Sequence, residues 1–218
     1  YPAVVSVFAA LGLPARLAAL LVSNLAGLVA TILLFEVARD QIGERPAWRA
    51  AALFTVFPTA YFLLFGYTEA LLCALAFGAV LATRRKRWLL GGALGGLAAS
   101  TRITGLALLP LLLLDLYAVR HAWKRVWEVA VAPALVVAGF LVYLLTNWVV
   151  LHDPFAFVAV QRLHWSHRLA PPWAGLTEAI HGLFWRVPWE KLTVGVAEII
   201  GGITAYFVTA LSVVKLRP

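Results

Sequence analysis

The stretch LFGYTEALLCALAF, residues 64–77, places one glutamate at the start of a run that is otherwise as apolar as the interior of a lipid bilayer. Gly66, Tyr67 and Thr68 precede Glu69, and only apolar residues follow it to Phe77. An ionised carboxylate is costly at membrane depth unless it reaches water, a helix N-terminus or a cation. The first question that this sequence raises is therefore what stabilises Glu69.

The composition of the whole chain is that of a membrane protein. Of its 218 residues, 63% are apolar and only 13% are charged, against about a quarter charged in soluble domains. The net charge of +8 does not indicate a nucleic-acid partner, because the basic residues lie in short clusters between apolar runs. We therefore predict an all-α polytopic protein whose partner is the lipid bilayer, with no nucleic acid.

Seven apolar segments are long enough to be considered as membrane spans. They are residues 17–38, 50–66, 69–83, 88–101, 103–119, 128–150 and 192–214. The segments between residues 50 and 101 are short and interrupted by Pro58, by Gly66 or by the run GGALGG. Broken helices are tolerated in lipid only where other protein or a watery cavity satisfies their backbone. We predict a bundle of about seven transmembrane helices with a site at these breaks.

The chain shows no internal repeat and no low-complexity linker, so we predict a single transmembrane domain over residues 1–218. It contains no Met and opens on Tyr1, from which we expect an internal fragment of a longer chain. Residues 1–15 are predicted to lie at the membrane interface. Residues 151–191 are predicted to form an extracytoplasmic loop that contains an amphipathic helix, because Trp and Arg are frequent there.

Basic residues predict the orientation, because Lys and Arg accumulate in cytoplasmic loops. If the turn at residues 84–87 is cytoplasmic and each span crosses once, most of the 18 basic residues fall on that side. These are Arg39, Arg45, Arg49, Arg84, Arg85, Lys86, Arg87, Arg120, Lys124, Arg125, Lys215 and Arg217. The turns around Glu69 and Arg102 and the loop 151–191 then share the extracytoplasmic face.

Glu69 and Arg102 each have a purely structural interpretation as well as a functional one. Glu69 could be a helix N-terminal carboxylate in water, with Thr68 as the cap. Arg102, in the turn STRITG, could be an arginine that extends to the interface from a hairpin tip. The two residues would also be natural partners at one depth, since each would lower the cost of burying the other. We predict that pairing.

The loop 151–191 carries further polar candidates. Asp153, in LHDPF, could begin a turn before Pro154 or act as a catalytic carboxylate. His164 and His167 are spaced to share one helix face, near Gln161 and Arg168, and could bind phosphate or a metal, or simply face solvent. These alternatives remain open on the residues alone.

The order of three motifs is similar to that in a known family. They are FPTAYFLLFGYTEALLCALAFGAVLA at residues 57–82, RRKRWLLGGALGGLAASTRITGLALLPLLLL at residues 84–114 and HDPFAFVAVQRLHWSHRLAPPW at residues 152–173. In this order the chain resembles the PIG-V family of mannosyltransferases, which includes the second mannosyltransferase of glycosylphosphatidylinositol synthesis and bacterial relatives. The resemblance extends over nearly the whole chain.

The resemblance implies a glycosyltransferase of the inverting GT-C type, with a GT-C-like helix bundle. Such an enzyme transfers a sugar from a polyprenyl-phosphate donor to a glycolipid or glycan acceptor on the extracytoplasmic face. A bacterial plasma membrane is the expected location. No cofactor and no metal are expected, since the sequence has no DxD pair or glycine-rich phosphate loop for a nucleotide sugar.

The resemblance also implies roles for individual residues. Arg102 and Arg168 are expected to be counter-ions to the donor phosphate, and Glu69 to orient one of them or a sugar hydroxyl. Other expected substrate-binding residues are Tyr67, Thr101, Gln161 and His164. The family's catalytic acidic residue lies upstream of the region where this chain begins, so the catalytic residue is expected outside it. Asp153 is the only candidate base within the chain.

Two other classes of function fit some of these features. A secondary transporter or flippase would also use broken helices and a buried Glu/Arg site, but should show paired halves, which the sequence lacks. A scaffold subunit would not need polar groups gathered on one face.

Overall fold

The computed structural model describes residues 1–165, 171, 173–185 and 195–215, and in these residues it contains helices and turns but no β-strand. The α-helices are α1 (Pro2–Ala10), α2 (Ala15–Ile42), α3 (Glu44–Val56), α4 (Glu69–Arg84), α5 (Trp88–Thr101), α6 (Leu108–Ala118), α7 (Trp123–Leu151), α8 (Ala156–Trp165), α9 (Ala174–Trp185) and α10 (Val196–Lys215). Two 3₁₀ helices cover Pro58–Leu63 and Ile103–Ala107.

The chain divides into two compact units. The first unit is Tyr1–Phe157 and the second is Val158–Pro218. In the second unit α9 packs against α10. The single transmembrane domain that the sequence predicts remains a prediction.

Helices α2 and α7 are long and apolar enough to cross a bilayer, with a mean hydropathy of 2.3 in each. Their surfaces expose large apolar side chains such as Leu28 and Val149, which are 59% and 67% exposed. Apolar surface of this kind suits contact with lipid. The predicted all-α membrane fold is therefore confirmed. The count of seven spans remains a prediction, because the other five segments lie in shorter helices.

The predicted interruption of the segment 50–66 at Pro58 is confirmed. Helix α3 ends at Val56, Phe57 is extended with ψ 141°, and a 3₁₀ helix begins at Pro58. Proline has no N–H to continue the helix and disfavours helical backbone in the residue before it. The chain therefore turns back in two pieces, and a turn at Gly66 leads into α4.

The run GGALGG does not break its helix, contrary to the sequence interpretation. Helix α5 is continuous, and its four glycines are buried against neighbouring helices. A Cβ atom on Gly92 would lie 2.7 Å from the Cα of Ala132, and one on Gly139 would overlap the carbonyl oxygen of Gly96. Small residues spaced in this way allow membrane helices to approach closely. The glycines thus pack α5 on α7 rather than unwind it.

Contacts along the first unit define its two ends. Ser23 of α2 contacts Tyr67, just before α4, whereas Asp40 of α2 contacts Arg85, just after α4. Helices α2 and α4 therefore run in the same direction, and α5 packs against α4 and runs back, so that Arg102 at its end contacts Glu69. We call the two extremities the Glu69 end and the Arg85 end. This is the alternation that the sequence predicts, and which end faces the cytoplasm remains a prediction.

Candidate functional site

The turn from Gly66 to Glu69 connects the 3₁₀ helix Pro58–Leu63, which follows α3, to the first turn of α4. Gly66 has φ +78°, a left-handed conformation that glycine adopts without the strain of a Cβ atom. Glu69 is the first residue of α4. Between Leu64 and Glu69 the backbone is not helical, so its carbonyl groups need other donors.

Side chains from α2 and from Tyr1, the residue before α1, supply those donors. Ser23 Oγ donates to the carbonyl oxygen of Tyr67 at 3.1 Å, and Asn24 Nδ2 donates to that of Leu64 at 3.0 Å. The hydroxyl of Tyr1 donates to the carbonyl oxygen of Gly66 at 2.6 Å. Where water is scarce, such bonds are what allows a non-helical segment to persist at membrane depth. Ser23 is fully buried, which fixes the position of the turn.

Sequence reasoning missed these donors. Ser23 and Asn24 are adjacent polar residues inside the mainly apolar segment 17–38. Polar side chains in a membrane helix usually bond to a neighbouring element. That pair was the signal that could have revealed them.

Arg102 and Glu69 form the predicted ion pair. Arg102 Nη1 donates a hydrogen bond to Glu69 Oε1 and lies 3.3 Å from Thr68 Oγ1, to which it also donates. Thr68 Oγ1 in turn donates to Glu69 Oε2 at 3.4 Å. The three side chains thus form one connected network.

Thr68 does not act as the predicted cap. It occupies the N-cap position of α4, but its side chain makes no capping hydrogen bond. Its hydroxyl is instead used between Arg102 and Glu69. The predicted position of Glu69 at a helix N-terminus is confirmed, and the helix dipole there favours its negative charge.

The backbone around Arg102 holds its side chain at the Glu69 end. Arg102 is extended (φ −154°, ψ 146°) and terminates α5, with its N–H bonded to the carbonyl oxygen of Ala98 at 3.1 Å. Its own carbonyl accepts from the N–H of Gly105 at 2.9 Å. A Cβ atom on Gly105 would overlap the backbone of Ala98 and Ala99. Glycine at this position therefore lets the chain fold back directly after Arg102.

The site remains open to a ligand. The side chains of Arg102 and Glu69 are 38% and 30% exposed. Among the described residues, Arg102 Nη1 makes all of the side chain's hydrogen bonds, and Nε and Nη2 make none. The guanidinium fork can bind two oxygens of a phosphate or carboxylate at once. The network therefore holds the guanidinium in place while the N–H groups of Nε and Nη2 remain available to a ligand.

The other predicted residues of the first unit take different positions. The ring of Tyr67 is exposed next to the network and packs edge-on against Phe62, with ring centres 4.9 Å apart. The Thr101 hydroxyl donates to the carbonyl oxygen of Leu97 at 2.8 Å, within its own helix. Thr101 therefore makes no described contact with Glu69.

Asp153 begins a turn, as one of its two interpretations predicts. Its Oδ1 atom accepts a hydrogen bond from the N–H of Phe155 at 2.8 Å, directly before α8. Asp side chains stabilise such turns by bonding to the backbone two residues on. A catalytic role for Asp153 remains a prediction.

The remaining candidates belong to the second unit. Gln161 is exposed on α8. His164 lies in the same helix, but its side chain is not among the described parts of the structure. His167 and Arg168 lie outside the described residues. Their predicted roles in binding phosphate stay predictions.

Fold and site together define a helical membrane protein with a partly exposed network of Arg102, Glu69 and Thr68 at one end of its first unit. Residues 1–150 match the family model described as dolichyl-phosphate-mannose-protein mannosyltransferase. The match covers more than half of the chain, so the chain belongs to this family of membrane glycosyltransferases. Searches of the curated proteins and of the solved structures gave no match. The matched region contains Glu69 and Arg102, and the more specific PIG-V assignment is not confirmed.

Proposed function

We propose that this protein transfers a mannosyl residue from a polyprenyl-phosphate donor to a hydroxyl acceptor, and that Arg102 binds the donor phosphate. The observation that carries the proposal is the network of Arg102, Glu69 and Thr68, which fixes the guanidinium while two of its nitrogen atoms remain available. The family match, which includes this network, supports the class of reaction.

The arrangement suits the chemistry of such a transfer. The acceptor oxygen forms a bond to the anomeric carbon of the sugar while the bond from that carbon to the phosphate oxygen breaks. The acceptor loses its proton to a carboxylate, and the polyprenyl phosphate leaves with the bonding electrons. Negative charge grows on the phosphate during this step. A guanidinium that is already oriented stabilises that charge without having to reorganise.

Glu69 has a supporting role in this proposal. It holds Arg102 by one nitrogen, which leaves the other edge of the guanidinium directed to a ligand. Asp153 is the only base that we propose within this chain, as an alternative to a carboxylate upstream.

The surroundings of the network support a lipid-linked donor. Phe65 and Ile103 flank the two turns, and their side chains are 66% and 39% exposed. Exposed apolar residues beside a cation match a ligand that combines a phosphate with a hydrocarbon tail. A nucleotide sugar would have no use for this apolar surface.

The acceptor and the location complete the proposal. The description of the matched family names a protein acceptor, whereas the PIG-V resemblance implies a glycolipid or a surface-linked glycan. We propose an inverting GT-C mechanism on the extracytoplasmic face of a bacterial plasma membrane, with the hydroxyl of such a glycan as acceptor.

The proposal is tested with the protein reconstituted in liposomes that contain a polyprenyl-phosphate mannose. Glycan, glycolipid and peptide acceptors are supplied, and the products are identified by mass spectrometry. Mannosylated product that disappears in the double variant Glu69→Gln, Arg102→Gln would support the proposal. Movement of the donor across the bilayer with no transfer to any acceptor would instead indicate a transporter or flippase.

A further inference from the structure

A second feature of the first unit lies away from the network of Arg102 and Glu69. Helices α1, α2, α4 and α5 enclose a groove of about 470 Å³. Its walls are apolar, with Val29, Leu75 and Leu94 among the lining side chains. The two charged residues that line it are Arg85 and Arg87, both at the Arg85 end. We call this feature the arginine groove.

The arginine groove is separate from the proposed donor site. Neither Glu69 nor Arg102 lines it. Helix α4 has 16 residues between the two sites, which at 1.5 Å per residue corresponds to about 24 Å. A ligand whose charged group lies at Arg85 is therefore a different ligand from one whose phosphate lies at Arg102.

The two arginines of the groove differ in how they are held. Arg85 Nη2 donates to Glu36 Oε2 at 3.0 Å and to Asp40 Oδ2 at 3.2 Å, so its guanidinium is fixed at the mouth of the groove. The bond to Glu36, and then that to Asp40, raises the pKa of Arg85, which therefore stays a cation. Arg87 is exposed and has no acidic partner among the described residues.

Charge at this end favours an anionic occupant. The turn at residues 84–87 carries four basic side chains. Glu36 and Asp40 pair with Arg85, and Asp115 interacts electrostatically with Arg84. An excess of positive charge therefore remains at the mouth of an apolar groove. Basic residues at a membrane surface attract anionic lipid headgroups. An apolar groove alone would accept any acyl chain, so the arginines are what would select the headgroup.

We propose that the arginine groove binds one anionic phospholipid of the leaflet next to the Arg85 end, with an acyl chain along α2 and α4 and the headgroup phosphate at Arg85 and Arg87. This proposal does not depend on the proposed function.

The test uses the purified protein equilibrated in detergent with equimolar phosphatidylglycerol and phosphatidylcholine of the same acyl chains. Native mass spectrometry then measures which lipid is retained. The wild-type protein should retain phosphatidylglycerol in preference, and Arg87→Gln should lower that preference about fivefold, the effect of one basic residue near an anionic membrane surface. Arg125→Gln removes a cation from the start of α7, outside the groove, and should leave the preference unchanged.

A second variant tests the groove itself. Val29 is half exposed and lines the groove, so Val29→Trp should fill it without disturbing buried packing and should lower retention of both lipids. Equal retention of the two lipids by the wild-type protein would overturn the proposal, and this measurement needs no variant. Equal effects of Arg87→Gln and Arg125→Gln would also contradict it. Displacement of phosphatidylglycerol by equimolar polyprenyl phosphate would reassign the groove to the donor tail.

Discussion

Arg102, at the end of α5, donates a hydrogen bond to Glu69, the first residue of α4, so that two turns 33 residues apart in sequence meet in one ion pair. This pairing explains how the carboxylate of Glu69 is stabilised at the start of an apolar helix. The helix N-terminus and the guanidinium both favour its charge. Because the pair is partly exposed, it can also meet a ligand.

The pair should behave as a unit in catalysis. In a double-mutant cycle with Glu69→Gln and Arg102→Gln, we expect the effects on kcat/KM to be non-additive by about 0.5–3 kcal/mol, because the residues share one network. The measurement is the rate of mannosyl transfer by the two single variants and the double variant. Strictly additive effects would show that Glu69 does not act through Arg102.

Ser23 should position the turn that carries Glu69. Ser23→Ala removes the donor to the carbonyl oxygen of Tyr67, and we expect a several-fold higher KM for the donor together with a loss of about 1 kcal/mol of stability. Thr31→Val is the matched control, because within the described part of the chain the Thr31 hydroxyl bonds to the carbonyl oxygen of Gly27 in its own helix and to no other group. It should leave the donor KM unchanged. Equal kinetic effects of both variants would contradict a positioning role for Ser23.

The contact between α5 and α7 should tolerate no added methyl group. Gly139→Ala would place a Cβ atom against the carbonyl of Gly96, and we expect a destabilisation of about 1–3 kcal/mol. Thermal unfolding of the purified protein in detergent measures it. Gly201→Ala in α10 is the control, because no atom of the described residues lies within 4 Å of a Cβ atom built there. An unchanged unfolding temperature for Gly139→Ala would mean that the helices are less close than described.

The orientation in the membrane can be read with single cysteines in a Cys73→Ala background, since Cys73 is the only native cysteine. Cysteines at Arg85 and Lys124 should react with an impermeant maleimide only from the cytoplasmic side. A cysteine at His164 should react only from the opposite side. Labelling of all three cysteines from the same side would contradict the prediction that the site lies on the extracytoplasmic face.

The sequence was sufficient for the class of fold and for the central ion pair. Hydropathy determines where helices can lie in lipid. Glu69 and Arg102 lie in apolar surroundings, where an unpaired charge is costly, so pairing of the two was predictable. The role of the glycines in α5 was not predictable, because glycine both weakens a helix and permits close packing, and only the neighbour at Gly139 shows which effect applies. Ser23 is a different case: the polar pair Ser23 and Asn24 indicated a buried hydrogen bond, but its partner is the backbone carbonyl of Tyr67, which no residue type reveals.

The same limit applies to Thr68. Its residue type and position fit an N-cap, yet its hydroxyl bonds to Arg102 and Glu69 instead. Local pattern predicts the cap. The competing partner comes from a turn 34 residues away in sequence and is not visible in that pattern.

The most direct test of the central claim is the dependence of the transfer rate on donor concentration for Arg102 variants. We expect Arg102→Ala to lower kcat/KM for the polyprenyl-phosphate donor. The loss should correspond to about 1.5–3 kcal/mol of transition-state stabilisation, the contribution of a charged hydrogen bond. Arg102→Lys should restore part of it, because lysine keeps the charge but lacks the planar fork. Arg39→Ala, which removes an arginine paired with Glu36 at the Arg85 end, should have little effect. Donor kinetics of Arg102→Ala equal to those of the wild type would contradict the assignment of Arg102 to the donor phosphate.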